Sequence, residues 1–452
     1  MSAEFEALKA ELDSAKGIAK RIYRIIDVGT GWQLPKIKQR GIPMDFGTYF
    51  ATPEPMLDAG IKVLQETKAR KARLASPGRE IAPPGRGKMI KNILEERIID
   101  KLKKENKVDI TLTASDTTAS FTEAAERKSD LFITNGISPG MFTIPLMLLD
   151  PGDEVLVTEP DYGPIRAAKM FGELVRVPLK ERKGVLDETR WYFDPKELES
   201  RITEKSKLFI FSNPNNPLGY VYSKDDLHAI ARIAKQHDLF VLCNECYERQ
   251  VLSDEFYKTL IFNSLAALPG MIERTFTLQG PTKGYDTEGT MLTGWIFGPA
   301  KHIGILKWLH FPAANKHFPA VSDHMVAAAL VSPFREEYVR QQITIYRENM
   351  TMLWDLLNSY SWIECGKSMA GQFLFPDISK SGMDERSFGR YLVEHGIGGG
   401  WGLVGTAHGV EYGKNHIRLA YCTPTDVHKE YLAKLDEALK YYEIVYKDRI
   451  IK

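Results

Sequence analysis

The feature that most constrains this chain is a repeated alternation. Short apolar or β-branched runs occur at Leu131–Thr134, Val155–Thr158, Leu174–Pro178, Leu208–Ser212, Phe240–Cys243 and Thr275–Leu278, and helix-like stretches such as Lys224–Gln236 separate most of them. Strands buried on both faces read as continuous apolar runs, because helices cover both sides of the sheet. This order predicts an α/β fold with a mostly parallel sheet sandwiched by helices. Ser223-Lys224-Asp225-Asp226 predicts a capping box, since the acidic residue three positions after Ser can return to its backbone N–H.

After Ser332 the pattern changes. A long helix is expected over Glu336–Tyr360, then short strands, then a final helix near Asp426–Tyr442. At the other end Leu8, Leu12, Ile18, Ile22 and Ile25 give Phe5–Ile26 an apolar helical stripe, followed by an extended Gly- and Pro-rich arm over Gly29–Thr52. These boundaries predict a large domain over residues 53–330 and a smaller α+β domain built from 1–52 and 331–452. The Gly-, Pro- and Arg-dense stretch Ala75–Lys88 reads either as a surface loop or as an anion-contacting loop.

Charge excludes whole classes of function. With 60 Lys+Arg against 59 Asp+Glu the chain has no basic excess for nucleic acid. The apolar stretch Met141–Leu149 is too short for a membrane span, which needs roughly 18 residues. The first residues show no cationic and apolar leader, so a cytoplasmic location is expected. Cys243 and Cys246 form a C-x-x-C without a second Cys/His pair nearby, so they read as small buried hydrophobes, and no metal is expected. The sequon at Asn349 reads as chance.

Four stretches carry chemistry. Thr134-Asn135-Gly136-Ile137-Ser138-Pro139-Gly140 follows a strand and opens an apolar helix, whose N-terminus can receive an anion. Ser212-Asn213-Pro214-Asn215-Asn216-Pro217-Leu218-Gly219 is a sharp turn at a strand end, where open α/β sheets bind ligands. Phe240–Tyr247 is an apolar strand that delivers polar groups at its end. Gln279-Gly280-Pro281-Thr282-Lys283-Gly284-Tyr285 sets a lysine among small residues at the same edge, where it is either a solvated side chain or a Schiff-base nucleophile.

In this order and spacing, with Asp150–Val157, Glu159-Pro160-Asp161-Tyr162, Thr293-Gly294-Trp295 and His416-Ile417-Arg418-Leu419, the chain resembles class I/II aminotransferases of the fold-type I pyridoxal phosphate (PLP) group. The resemblance implies a seven-stranded, mostly parallel sheet and a homodimer acting on an amino acid and a 2-oxo acid. It makes Lys283 the internal-aldimine lysine that also moves the Cα proton. It stacks Tyr162 on the cofactor ring and sets Asn216 and Tyr247 on its phenolic oxygen. It sets Ile137 and Ser138 near the phosphate and Asn244 at the ring nitrogen. Arg418, otherwise an ordinary strand arginine, would clamp the substrate α-carboxylate with Asn216 beside it, and Gly47 would lie on the substrate side.

Departures from the family pattern are equally specific. Asn244 stands where the family has Asp, Gly280 where it has a small hydroxylated residue, and Ile296 where it has Arg. The segment from Lys283 to Gly294 is about five residues longer than usual, including Asp286–Thr290. Ala82 stands where a Tyr is offered across the dimer. Arg79, Arg86 or Lys88, or the hydroxyls of Thr282, Thr287 and Thr290, are candidates for the phosphate. Tyr49, Tyr285 and Trp401 are candidates for a pocket wall or for plain packing. The departures leave two alternatives to transamination: elimination or cyclisation on an amino acid, and a degenerate relative with a binding role.

Overall fold

The structure is a computed structural model that describes residues 44, 50–69, 86–110, 128–162, 168–288, 290–310, 320–398, 403–409 and 411–451. The helix expected over Phe5–Ile26, nearly all of the arm and most of Ala75–Lys88 lie outside these residues.

The central sheet comprises β1 (Ser129–Thr134), β2 (Glu154–Glu159), β3 (Glu173–Pro178), β4 (Ser206–Ser212), β5 (Phe240–Asn244), β6 (Thr275–Gln279) and β7 (Gly294–Pro299). Their spatial order is β1-β7-β6-β5-β4-β2-β3. From β3 to β6 all neighbours are parallel, and β7 runs against both β6 and β1. The six expected strands are present and slightly longer. β7 is additional: its sequence Gly-Trp-Ile-Phe-Gly-Pro carries turn residues that hide a strand.

Successive residues point to opposite faces of the sheet. The longer helices, in chain order, are α1 (Glu54–Ala69), α2 (Arg86–Lys101), α3 (Ser138–Leu148), α4 (Lys224–Gln236), α5 (Ala300–His310), α6 (Ala320–Ala329), α7 (Phe334–Asn358), α8 (Glu385–Glu394) and α9 (Thr425–Val445). Leu156, Phe209, Phe211, Val241 and Cys243 pack with Leu227, Ile230 and Ala234 of α4. Val155, Val157, Leu208, Ile210, Leu242, Leu278 and Ile296 pack on the other side with Met141 and Ile144 of α3 and Ile303 and Leu306 of α5. The capping box at α4 is formed: Asp226 N donates to Ser223 Oγ at 3.1 Å, and Ser223 N to Asp226 Oδ2 at 2.9 Å. In the C-terminal part, Ile343, Leu353 and Leu357 of α7 share a core with Phe388 of α8 and Leu435 and Tyr442 of α9. Asn349 is enclosed there and donates to the carbonyls of Tyr421 and Thr423, so its sequon is structural coincidence. No helix among the described residues is long and apolar enough to cross a membrane.

A buried polar network lies behind β5 and β6. Lys101, fully enclosed, donates to Asn106 (2.8 Å), Glu248 (2.6 Å) and Gln279 (2.8 Å). Gln279 in turn donates to Glu245 Oε2 at 2.8 Å, and Ser264 to Glu245 Oε1 at 2.7 Å. Burial outweighs these bonds and pushes the Glu245 carboxyl up to about 7. The native state thus keeps a proton that the unfolded chain releases above about pH 4.5. This contribution is complete below that pH and is lost as pH rises through 7. Glu245→Gln should therefore gain stability over the parent, by up to about 3 kcal/mol, between pH 5 and pH 8. Urea midpoints at the two pH values check this; a constant difference would contradict it.

Candidate active site

Because β1 is parallel in direction to β6, the carboxyl ends of β1, β2, β4, β5 and β6 all reach one edge of the sheet. The four stretches singled out in the sequence, and Pro160-Asp161-Tyr162, are the segments that leave this edge.

The turn after β4 is held from within. Asn215 Nδ2 donates to Pro160 O at 3.1 Å, and its Oδ1 accepts from Leu218 N at 3.2 Å. Asn213 Oδ1 accepts from Tyr222 N at 3.2 Å. Gly219 adopts φ +63°, and a Cβ there would lie 1.8 Å from Ser368 Oγ, so only glycine fits. This scaffold presents Asn216. Its Oδ1 accepts from Arg418 Nη1 at 3.0 Å, and its Nδ2 donates to Tyr247 OH at 3.4 Å. Arg418 is buried, with its guanidinium 3.9 Å above the Phe373 ring centre. Two residues before it, His416 joins a polar cluster with Glu181, Asp377, Arg190 and the more exposed Lys183, which fastens Arg418's segment to the rest of the chain. Burial pushes the Tyr247 hydroxyl far above its ordinary value.

Lys283 sits in the short helix Pro281–Gly284 directly after β6. Gln250 donates its amide to the Lys283 carbonyl, and Glu288 makes an ion pair with Lys283 Nζ. Lys283 lies close enough to the Cys246 thiol to act on its titration, and Arg418 does the same to Tyr162 and Tyr247. Asn216, Tyr247 and Arg418 are thus one hydrogen-bonded group at the edge that Tyr162 and Lys283 also leave.

The turn from β1 into α3 is shaped by backbone. Gly136 has φ +74°, and α3 begins at Ser138 with Pro139 in its first turn and Ile137 at the cap. A Cβ on Gly294 would lie 2.5 Å from the Gly136 carbonyl carbon, and one on Gly280 would lie 3.0 Å from Thr293 O. The helix terminus, β7 and the lysine turn therefore close on one another through glycine backbone. Ile296 does not face this cradle. It is fully buried beneath α3, where a Cβ on Gly140 would lie 2.7 Å from its Cδ1.

Asn244 ends β5 at the same edge. Its Nδ2 donates to Ser212 Oγ at 3.2 Å and its Oδ1 accepts from Cys246 N at 3.2 Å, so both ends of the amide are hydrogen-bonded within the chain. Nearby Asp161 is enclosed and accepts from Thr158 Oγ1, Tyr162 N and Ser212 N; burial still raises its carboxyl to about 6. Tyr285 is packing, buried against Arg249, Phe334 and Tyr338. Thr290 is bonded to Thr52, and Thr287 is fully buried. Gly47, Tyr49, Arg79, Ala82 and Trp401 lie outside the described residues, as do the side chains of Arg86 and Lys88. Gln250, Phe373 and Glu288 have site contacts that sequence reading did not assign; only Glu288 had a signal, its place in the lengthened segment.

Residues 87–435 match the family described as aminotransferase class I and II. The chain is 27% identical over 360 residues to aromatic-amino-acid aminotransferase 2 of Thermococcus litoralis, covering 78% of this chain and 83% of that one. With the aspartate aminotransferase of Musicola paradisiaca it shares 28% identity over 325 residues, 70% of this chain and 75% of that one. Among solved structures, cystalysin from Treponema denticola, which contains a pyridoxal 5′-phosphate cofactor, has the same fold, with a TM-score of 0.72 at 18% identity over 95% of this chain and 97% of that one. Since the family match takes in every strand of the sheet together with Lys283 and Arg418, the chain belongs to the class I and II aminotransferases, PLP-dependent transferases of amino groups.

Proposed function

We propose that the chain moves an amino group between an α-amino acid and a 2-oxo acid, with Lys283 holding PLP and moving the Cα proton and Arg418 clamping the substrate α-carboxylate. The strongest support is the unbroken hydrogen-bonded line Arg418–Asn216–Tyr247 at the edge that carries Lys283. Family membership does not favour elimination, cyclisation or a purely binding role.

The residues present fit the cofactor by their chemistry: an amine for its aldehyde, neutral donors for an anionic oxygen, an aromatic face, and the glycine-lined cradle at the α3 N-terminus for a phosphate. When bound, PLP supplies the carbonyl that takes up the amino group and a ring that draws electrons from Cα. Tyr247, kept protonated by burial and touched by Asn216, is a donor for the ring's phenolic oxygen. Tyr162 offers its face for stacking. Ile137 and Ser138 offer the first turn of α3 to the phosphate. Asn244 can give the ring nitrogen only a neutral bond, roughly half as strong as a charge-assisted one. Arg418, oriented by Asn216 and Phe373, presents a planar fork that matches a carboxylate.

Incubation of the chain with PLP should produce a visible absorbance that borohydride bleaches, and Lys283→Ala should abolish it; absorbance that survives this change removes Lys283 from the role. Arg418→Lys keeps the charge and loses the fork. It should lower kcat/KM roughly 10- to 100-fold, mostly through KM, the loss expected for a charged hydrogen bond; steady-state kinetics with unchanged KM would refute the clamp.

We further infer a cytoplasmic homodimer. Leu57, Ile61 and Leu64 are exposed at helical spacing on α1, which favours a covering partner, and the four cysteines are all thiols, which favours a reducing compartment. Light scattering at micromolar concentration should report twice the chain mass; a monomer would contradict the dimer.

A further inference from the structure

Lys283 has a partner that transamination does not require. Its Nζ is ion-paired with Glu288, with the lysine side chain 18% exposed and the glutamate 52%. Glu288 belongs to the lengthened segment after the lysine, and that segment is pinned on two sides. Asp286 accepts from Tyr338 OH at 2.9 Å and Gln342 Nε2 at 2.6 Å. Thr52 Oγ1 donates to Asp286 O at 3.1 Å and lies 2.7 Å from Thr290 Oγ1. Thr290 N and Met291 N both close on Thr287 O. The turn brings the Glu288 carboxylate back onto the amine. Its charge adds to the burial that pushes up the hydroxyls of Tyr162 and Tyr247.

We propose that Glu288 holds the free Lys283 amine at the reacting centre, opposing the lysine's link to the cofactor and favouring the stage at which a substrate amine has displaced it; this rests on the role of Lys283 proposed above. When the link forms, the ammonium gives up a proton and its nitrogen attacks the aldehyde carbon. The new carbon–nitrogen bond replaces the carbon–oxygen bond, and the oxygen leaves as water with two hydrogens. The protonated product keeps one charge and one N–H where the ammonium had three. A carboxylate bonded to that ammonium is therefore held less well once the link exists. It recovers its partner when another amine takes the lysine's place. A group that binds one state better shifts the equilibrium by its differential affinity.

The test uses the full chain stripped of cofactor, as wild type, Glu288→Gln and Glu288→Asp. Each is titrated with PLP by absorbance; each loaded form is then titrated with aminooxyacetate, whose amine displaces the lysine whatever the substrate side chain. For a half-exposed ion pair the expected change is roughly two- to five-fold. Glu288→Gln should half-saturate at lower PLP and at higher aminooxyacetate, with Glu288→Asp between it and wild type. Opposite signs separate this role from structural damage, which weakens both. Two unchanged midpoints, or two weakened ones, overturn the proposal. A wild type that forms no borohydride-fixed link at Lys283 overturns the reading of the site itself, and this proposal with it.

Discussion

Parallel strands that end at one edge are the constraint from which the site follows. Tyr162, Asn216, Tyr247 and Lys283 are far apart in sequence and share no local structure. They meet because β2, β4, β5 and β6 point the same way and are covered on both faces by apolar helices. Burial of both faces leaves the carboxyl edge as the place where polar side chains can gather. Arg418 is the exception, arriving from the C-terminal part and joined to the group through Asn216.

The site's electrostatics are built from few charges. Lys283 and Glu288 pair with each other, and Arg418 is oriented by a neutral amide and an aromatic ring. Where the family carries a carboxylate and an arginine, this chain has an amide engaged by Ser212 and Cys246 and an isoleucine sunk under α3. The helix terminus at Ser138 thus has no cation from β7 beside it, and its own N–H groups are what this edge offers an anion.

What could be read from the sequence tracks what depends on local pattern. Six strands were legible because runs buried on both faces are apolar throughout, and α4 because Ser223 and Asp226 cap it. β7 was not, because Gly294, Gly298 and Pro299 mask its apolar centre. Asn216, Tyr247 and Arg418 were legible as motif positions; that hydrogen bonds join them was not, since they come from three separate segments. The direction of Ile296 was not legible, since it depends on the room left by Gly140 in another element. Nor was the return of Glu288 to Lys283, which depends on a turn held by Tyr338, Gln342 and Thr52 and on Asp286 taking φ +49°.

Gly219 has a mechanical consequence. With no room for a Cβ, the Asn216 turn lies flush against the segment around Ser368, and Met369 N donates to Gly219 O at 3.0 Å. The same segment bonds to Leu252 through Met369 O and leads into Phe373, under the Arg418 guanidinium. Asn216 and Phe373, the two groups that orient Arg418, are thus tied to one stretch of backbone. Since the Asn216 turn itself continues β4, the same stretch joins Arg418 to the sheet edge that carries Lys283.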